Sequence, residues 1–286
     1  MRNRDLTLRS DISTLLRKAG IRPSKRLGQN FLVCADVLGT IIKEVELLNT
    51  RPIVEIGAGL GTVTRELAKI ANRVIAVELD QRLGVMLEQT VGQEKNVEVC
   101  KSNFLSFSFA EQSRDAKAFV VGNIPYRITA PILKHLIAQR DHISGALLLT
   151  QYEVASKISN SPGKDGTPLG VLVQAYADVK ALRRVPSSCF LPAPKVDSML
   201  WRLSFLETPR FHADPEDFFA VVQAVYGLRR KMLRVSLRNL LRGVDIEEAI
   251  DSLGIDPTLR GEALSLSQLD LIARYYSRSA SYHNRL

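Results

Sequence analysis

The feature that most constrains this chain is a series between Pro52 and Thr150 in which short apolar runs alternate with helical stretches. Residues 53–56, 74–78, 97–101, 119–122 and 146–149 read as strands, and their near-continuous apolar character is what burial on both faces of a parallel sheet demands. Between them, 62–70, 82–91 and 130–137 carry helical periodicity. Strand and helix in strict alternation imply a doubly wound, Rossmann-like α/β domain. A further strand pair is expected over 169–177 and 198–205. The stretch 206–217, with Pro209 and Pro215, interrupts the pattern and reads as a linker. Beyond it, 218–226, 231–241, 246–253 and 267–277 are helical in period. The expected organisation is an α/β domain over 1–206 that opens with a basic segment, 1–26, followed by a small all-helical domain over 207–286.

A chain of 286 residues suits such a pair of domains. Its 45% hydrophobic and 24% charged residues are ordinary globular values, which excludes disordered, collagen-like and coiled-coil classes. No apolar run approaches the ~18 residues of a membrane span. The charged first twenty-six residues lack the apolar core of a secretory signal, so a cytoplasmic protein without membrane partners is expected. The net charge of +9 is unevenly spread. Residues 1–26 carry eight Lys/Arg against Asp5 and Asp11, a net of +6. Residues 226–242 carry Arg229, Arg230, Lys231, Arg234, Arg238 and Arg242 with no acid, another +6, so the remainder is near −3. Two basic patches on a slightly acidic body point to a polyanion, most economically a nucleic acid. Cys34, Cys100 and Cys189 are too far apart for a disulfide framework or a zinc motif and read as small hydrophobes, so no metal is expected.

Strand 53–56 runs directly into Gly57-Ala58-Gly59-Leu60-Gly61, and a helix follows. Glycines there allow a tight turn and let a ligand approach the backbone. Twenty-one residues past Gly57, Glu78 ends the next strand, where a carboxylate can accept both hydroxyl protons of a ribose. A pyrophosphate-binding loop wants its third glycine one place later, at Thr62. The displacement favours S-adenosylmethionine, which has no phosphate, over a dinucleotide. Glu55, inside the strand, reads either as an anchor for the loop backbone or as an edge carboxylate.

Strand 119–122 leads into Asn123-Ile124-Pro125-Tyr126, at the sheet edge that faces the ligand crevice. These residues suit methyl transfer to a planar amine. An exocyclic amino group is a poor nucleophile because its lone pair is delocalised into the ring. The Asn123 side-chain oxygen and the Ile124 carbonyl can accept its N–H bonds and draw the nitrogen toward tetrahedral geometry. Pro125 stiffens the turn, and Tyr126 offers a face for stacking.

With these blocks in order, the chain resembles the small-subunit ribosomal RNA adenine N6,N6-dimethyltransferase family over most of its length. Lys25-Arg26-Leu27-Gly28-Gln29-Asn30-Phe31-Leu32 is similar to its N-terminal signature, which implies that Gln29, Asn30 and Leu32 join Gly57, Gly59, Glu78, Asn103 and Asn123 around S-adenosylmethionine. Val185-Pro186, Phe190, Pro192 and Pro194-Lys195-Val196-Asp197-Ser198 resemble the stretch whose aromatic ring packs on a flipped adenine, which implies a sandwich between Tyr126 and Phe190. Arg229-Arg230-Lys231 and Arg260-Gly261-Glu262 with Leu264-Ser265 resemble motifs of its helical domain, with Arg234 and Arg238 continuing a basic helix face toward phosphates. The implied activity is dimethylation of two adjacent adenines in a 3′-terminal hairpin loop of small-subunit RNA, by a monomer acting on a pre-ribosomal particle.

Three positions depart from the family pattern. Asn103 stands where an Asp would accept the cofactor's adenine amino group, and an amide oxygen accepts that bond without charge assistance. Thr150-Gln151-Tyr152-Glu153 replaces a Leu-Gln-Lys-Glu-like stretch and loses a cation, and Leu169-Gly170 replaces a Tyr-Gly pair. A large-subunit adenine dimethyltransferase of the antibiotic-resistance type, or an assembly factor whose methylation is secondary, are the alternative readings. DNA and protein-glutamine methyltransferases share an Asn-x-Pro-Tyr-like segment but lack the signature from Gly28 to Leu32.

Overall fold

The computed structural model describes residues 9–47, 52–112, 116–228, 230–241 and 244–283. They pack as two compact units: one runs to Ala155 and resumes over Lys180–Phe205, the other holds Ser156–Val179 and the chain from Leu206 onward. Among the described residues no helix is long and apolar enough to cross a membrane.

In the first unit the chain runs α1 (Arg9–Lys18), β1 (Phe31–Leu32), α2 (Ala35–Glu46), β2 (Ile53–Ile56), α3 (Thr62–Ile70), β3 (Val74–Val77), α4 (Gln81–Val91), β4 (Val97–Cys100), α5 (Phe109–Gln112), β5 (Ala118–Asn123), α6 (Thr129–Ala138) and β6 (Ile143–Gln151). After α7 (Tyr152–Ser159) and α8 (Pro168–Tyr176) it returns through β7 (Ala177–Val185), β8 (Phe190–Leu191) and β9 (Ser198–Phe205). The main sheet has the order β4-β3-β2-β5-β6-β9-β7. Strands β4 to β6 are parallel, and β9 is antiparallel to β6, with Gln151 opposite Ser198. The order reverses between β2 and β5, so the ligand crevice of a doubly wound sheet falls at their carboxyl ends. The strands' unbroken apolar runs are explained by burial: every residue of β2 and β3 is buried.

A separate antiparallel pair, β1 with β8, sets Phe31 opposite Leu191 and Leu32 opposite Phe190. Helix α1 buries Ile12 and Leu16 in an apolar cluster with Ile21, Phe31, Leu60 and Leu83. Arg9 donates to the carbonyls of Ser188 (2.7 Å) and Phe190 (3.1 Å). Part of the expected N-terminal basic segment is therefore docked structure; residues 1–8 lie outside the described part.

The second unit holds α8, α9 (Pro215–Gly227), α10 (Leu233–Ser236), α11 (Ile246–Asp251) and α12 (Leu266–His283). Four expectations are corrected here. Residues 169–176 are helical, because Thr167 caps the amide of Gly170 and Pro168 stands at the helix start, where its missing N–H costs nothing. The strand begins only at Ala177. With this helix, residues 156–179 pack in the helical unit, where the expectation had assigned all of 1–206 to the α/β domain. The linker is a packed segment: Phe211 is buried, stacks on Phe218 with centroids 4.1 Å apart and meets Tyr176 edge-on, while Asp270 accepts from the amides of His212 and Ala213. Helix 231–241 shrinks to α10: the amides of Leu233 and Arg234 are taken by the carbonyls of Leu259 and Pro257, which sets its start, and beyond Ser236 the amides of Leu240 and Leu241 both turn to the Leu237 carbonyl.

Candidate active site

The crevice is an open cleft of about 760 Å³ in the first unit, bordered by the glycine loop, Glu78, Asn103, Asn123 and Tyr126. Gly57, Gly59 and Gly61 all have φ between 60° and 83°, the left-handed region that favours glycine. At Gly59 a side chain would also strike the Phe31 ring at 3.2 Å. The loop hangs from β3, since Val77 carbonyl accepts from the amides of Gly57 (2.8 Å) and Ala58 (3.2 Å).

Glu78, only 6% exposed, accepts from the amide of Gly59 on one oxygen and from that of Asp80 on the other, both at 2.8 Å. A carboxylate has about four acceptor positions, so each oxygen keeps capacity for a ligand hydroxyl. Burial pushes its carboxyl above the usual range, opposed by the N–H bonds of Asp80 and Gly59. Glu55 is buried beside the loop and accepts from Thr64 Oγ1 at 2.6 Å. Desolvation raises it to about 8 against the pull of that hydroxyl, with the nearby charge of Glu78 adding to the rise. Glu78, with acceptor capacity for ribose hydroxyls beside a glycine loop that lacks the third glycine of a pyrophosphate cradle, fits the expected S-adenosylmethionine.

The N-terminal signature is held over this pocket. Gln29 donates to Asp80 Oδ2 at 3.0 Å and accepts from the Ser24 amide at 2.7 Å. The Arg82 guanidinium beside Asp80, with help from Gln29, holds that carboxyl well below the usual range. Gly28, at φ 64°, lies where a Cβ would meet Pro125 at 3.0 Å, which brings the signature against the turn after β5. There Asn123 Nδ2 donates to the Asn30 carbonyl at 2.7 Å. That bond fixes the amide's orientation, because the opposite rotamer would set two carbonyl oxygens together, and Oδ1 is thereby kept as an acceptor. Tyr126, half-buried, shares a 2.9 Å hydrogen bond with Ser198 Oγ, and burial raises its phenol.

Gln29, Asn30, Leu32, Gly57, Gly59, Glu78, Asn103, Asn123 and Tyr126 all border the cleft. Phe190 does not: its side chain is 1% exposed and packs in the core with Leu32, Val185 and Leu200. The expectation of a base-stacking ring at Phe190 is corrected, because the pairing of β8 with β1 turns that ring inward; Pro192, Ala193 and Pro194 line the cleft on that side. Asn103 Oδ1 caps the turn 104–106 by accepting from the Leu105 amide at 3.1 Å.

Leu79 was not anticipated. It follows Glu78, lines the cleft and is 49% exposed, an apolar platform that only its place after the strand-end acid could have flagged. The exposed cations Lys25, Arg26, Arg127 and Lys195 also border the cleft. At position 152, where the sequence has a tyrosine, the Arg184 guanidinium lies 4.7 Å from the centroid of the ring. In the helical unit Arg230, Lys231 and Arg238 are exposed, whereas Arg234 is paired with Glu247 at 2.7 Å. Arg229 and Arg242 lie outside the described residues.

Comparison with known proteins gives a consistent outcome. The chain is 36% identical over 275 residues to a ribosomal RNA small subunit methyltransferase A of Clostridium perfringens, covering 94% of this chain and 96% of that one. It is 38% identical over 272 residues to the protein of that name from Moorella thermoacetica, covering 91% and 94%. Among solved structures, the 23S rRNA methyltransferase ErmE matches with TM-score 0.68 and 27% identity, over 88% of this chain and 100% of that one. A dimethyladenosine transferase from Plasmodium falciparum shares the fold, with TM-score 0.71 at 20% identity, over 86% and 96%. The profile of one family, ribosomal RNA adenine dimethylase, covers residues 21–277, and the chain belongs to that family of S-adenosylmethionine-dependent methyltransferases.

Proposed function

We propose that this protein places two methyl groups on N6 of each of two adjacent adenines in the 3′-terminal hairpin loop of small-subunit ribosomal RNA, as a cytoplasmic monomer acting on a pre-ribosomal small subunit. The observation that carries the reading is the bond from Asn123 Nδ2 to the Asn30 carbonyl, which leaves Oδ1 to accept an amine proton beside the cleft. The choice of small over large subunit is supported by relatives at 36–38% identity that bear a small-subunit name, against 27% for the 23S enzyme.

When bound, S-adenosylmethionine supplies an electrophilic methyl on a positively charged sulfur. Glu78 would accept the ribose hydroxyls, Leu79 would offer an apolar contact for the adenine, and Asn103 would accept its amino group. Asn30 and Leu32 would hold the amino-acid end, with Gln29 tying the signature to Asp80. The target adenine, drawn out of its stack, lies on Tyr126 with the Pro192–Pro194 segment as the opposite wall. Asn123 Oδ1 and the Ile124 carbonyl accept the N6 protons, which localises the lone pair and aims it. Once methylated, the N6 nitrogen is acidic and releases its proton to solvent, so no strongly shifted general base is needed. The cleft-side cations, with Arg230, Lys231 and Arg238, take the RNA phosphates.

Asn123→Ala tests this reading. Transfer is expected to vanish while binding of RNA stays within about threefold. Transfer at near wild-type rate would refute the assignment.

A further inference from the structure

We propose that Arg184, braced by Tyr152 and Asp197, binds a phosphate of the RNA strand that enters the cleft. The inference rests on the methyltransferase reading above and adds a substrate-positioning residue to it.

Three segments of the first unit meet at this point. Asp197 accepts from Arg184 Nε at 3.0 Å and pairs with its Nη2 at 2.9 Å through Oδ2, while Oδ1 accepts from the Ser187 amide at 3.0 Å. The Asp197 carbonyl accepts from the Tyr152 amide, also at 3.0 Å. The Ser187 amide and the Arg184 guanidinium hold the Asp197 carboxyl below the usual range, so it stays ionised at neutral pH. Arg184 is thus fixed on one edge by a carboxylate and on one face by an aromatic ring.

Despite these contacts the Arg184 side chain is 63% exposed, and Tyr152 is 37% exposed. The guanidinium is therefore within reach of a ligand. It keeps Nη1 without a partner among the described residues. The cluster adjoins the cleft through its chain neighbours: Gln151, before Tyr152, and Lys195 and Val196, before Asp197, all line it. A planar, immobilised fork beside the entrance suits a phosphodiester, and immobilising it beforehand lowers the ordering cost of binding. A lysine at position 152 would supply charge from a mobile stem; here the charge comes from β7 and the residue at 152 supplies the brace.

The test uses the full-length protein and a fluorescent RNA carrying the small-subunit 3′-terminal hairpin, with affinity measured by anisotropy against salt. Arg184→Gln is expected to weaken binding about tenfold. It should also lower the slope of log affinity against log salt by about one. Arg184→Lys should keep the slope and lose only part of the affinity. In turnover assays Arg184→Gln should raise KM for RNA with kcat within twofold, and S-adenosylmethionine affinity and thermal midpoint should not move. An unchanged salt slope in Arg184→Gln overturns the inference. So does a loss of RNA affinity matched by equal losses of cofactor affinity and thermal stability, the signature of a purely structural clasp. A wild-type protein that binds the RNA but never methylates it overturns the function proposed above, while the salt slopes still decide the role of Arg184.

Discussion

Replacing Glu78 by Gln separates what this carboxylate does for the ligand from what it does for the fold. Its two oxygens each accept one backbone N–H at 2.8 Å, from Gly59 and from Asp80. A glutamine keeps one acceptor and turns an NH2 group against the other amide. Leaving one N–H unpaired costs about 1–3 kcal/mol. Removing a buried charge whose ionisation is already disfavoured by desolvation offsets part of that cost, so the unfolding free energy should change by less than about 2 kcal/mol. Binding has no such offset. Charge-assisted bonds to ribose hydroxyls are worth about 1.5–3 kcal/mol, so S-adenosylmethionine should bind roughly 10- to 100-fold more weakly. Isothermal calorimetry on the full-length protein, with urea unfolding alongside, measures both. The sign of the pH dependence adds a check. The folded-state pKa of Glu78 is raised, so its charged, accepting form is lost as pH falls through that value. Wild-type affinity should therefore decline on acidification while that of Glu78→Gln stays level. A Kd within threefold of wild type would refute the role given to Glu78.

Glu55 has its carboxyl raised to about 8 from 4.5, so the native state keeps a proton that the unfolded chain loses between those values. Its stabilising contribution is complete below pH 4.5 and is lost as pH rises to about 8, at up to about 1.4 kcal/mol per unit. Glu55→Gln should become progressively more stable than wild type across that window in urea titrations; a pH-independent difference contradicts this. Asn103→Asp should tighten S-adenosylmethionine binding about three- to tenfold by making the acceptor charged, as calorimetry would register. Phe190→Ala should cost about 3–5 kcal/mol of stability, because a ring that is 1% exposed leaves a cavity. Unchanged stability with lost turnover would instead return that ring to the cleft. Arg230→Gln with Arg238→Gln should lower the salt slope of RNA binding by about two, as anisotropy against salt would register.

The parallel strands were legible because strands buried on both faces leave continuous apolar runs, as 53–56 and 74–77 do. The glycine loop, Glu78 and Asn123 were legible because each stands at a strand's carboxyl end, where topology sends ligands. Position 190 misled because an aromatic residue near two prolines looks like a loop ring, and only the two-residue pairing of β8 with β1 turns it inward. Residues 169–176 misled because Val and Leu suit either element in a short apolar run, and the Thr167-Pro168 start signal decided for helix. The partnership of Tyr152 with Arg184 joins residues thirty-two apart, through the end of β6 and the end of β7, and no local pattern encodes it. The pairing of Arg234 with Glu247, on a different helix, is likewise encoded by no local pattern.

The central claim is that the target is a pair of adenines in small-subunit RNA. Purified, unmethylated small and large ribosomal subunits incubated with the protein and labelled S-adenosylmethionine, followed by mass mapping of the RNA, test it most directly. The account predicts N6,N6-dimethyladenosine at two adjacent positions in the 3′-terminal hairpin of the small subunit, and no label in the large one. Label confined to large-subunit RNA, or adenines left unmodified in both, would contradict it.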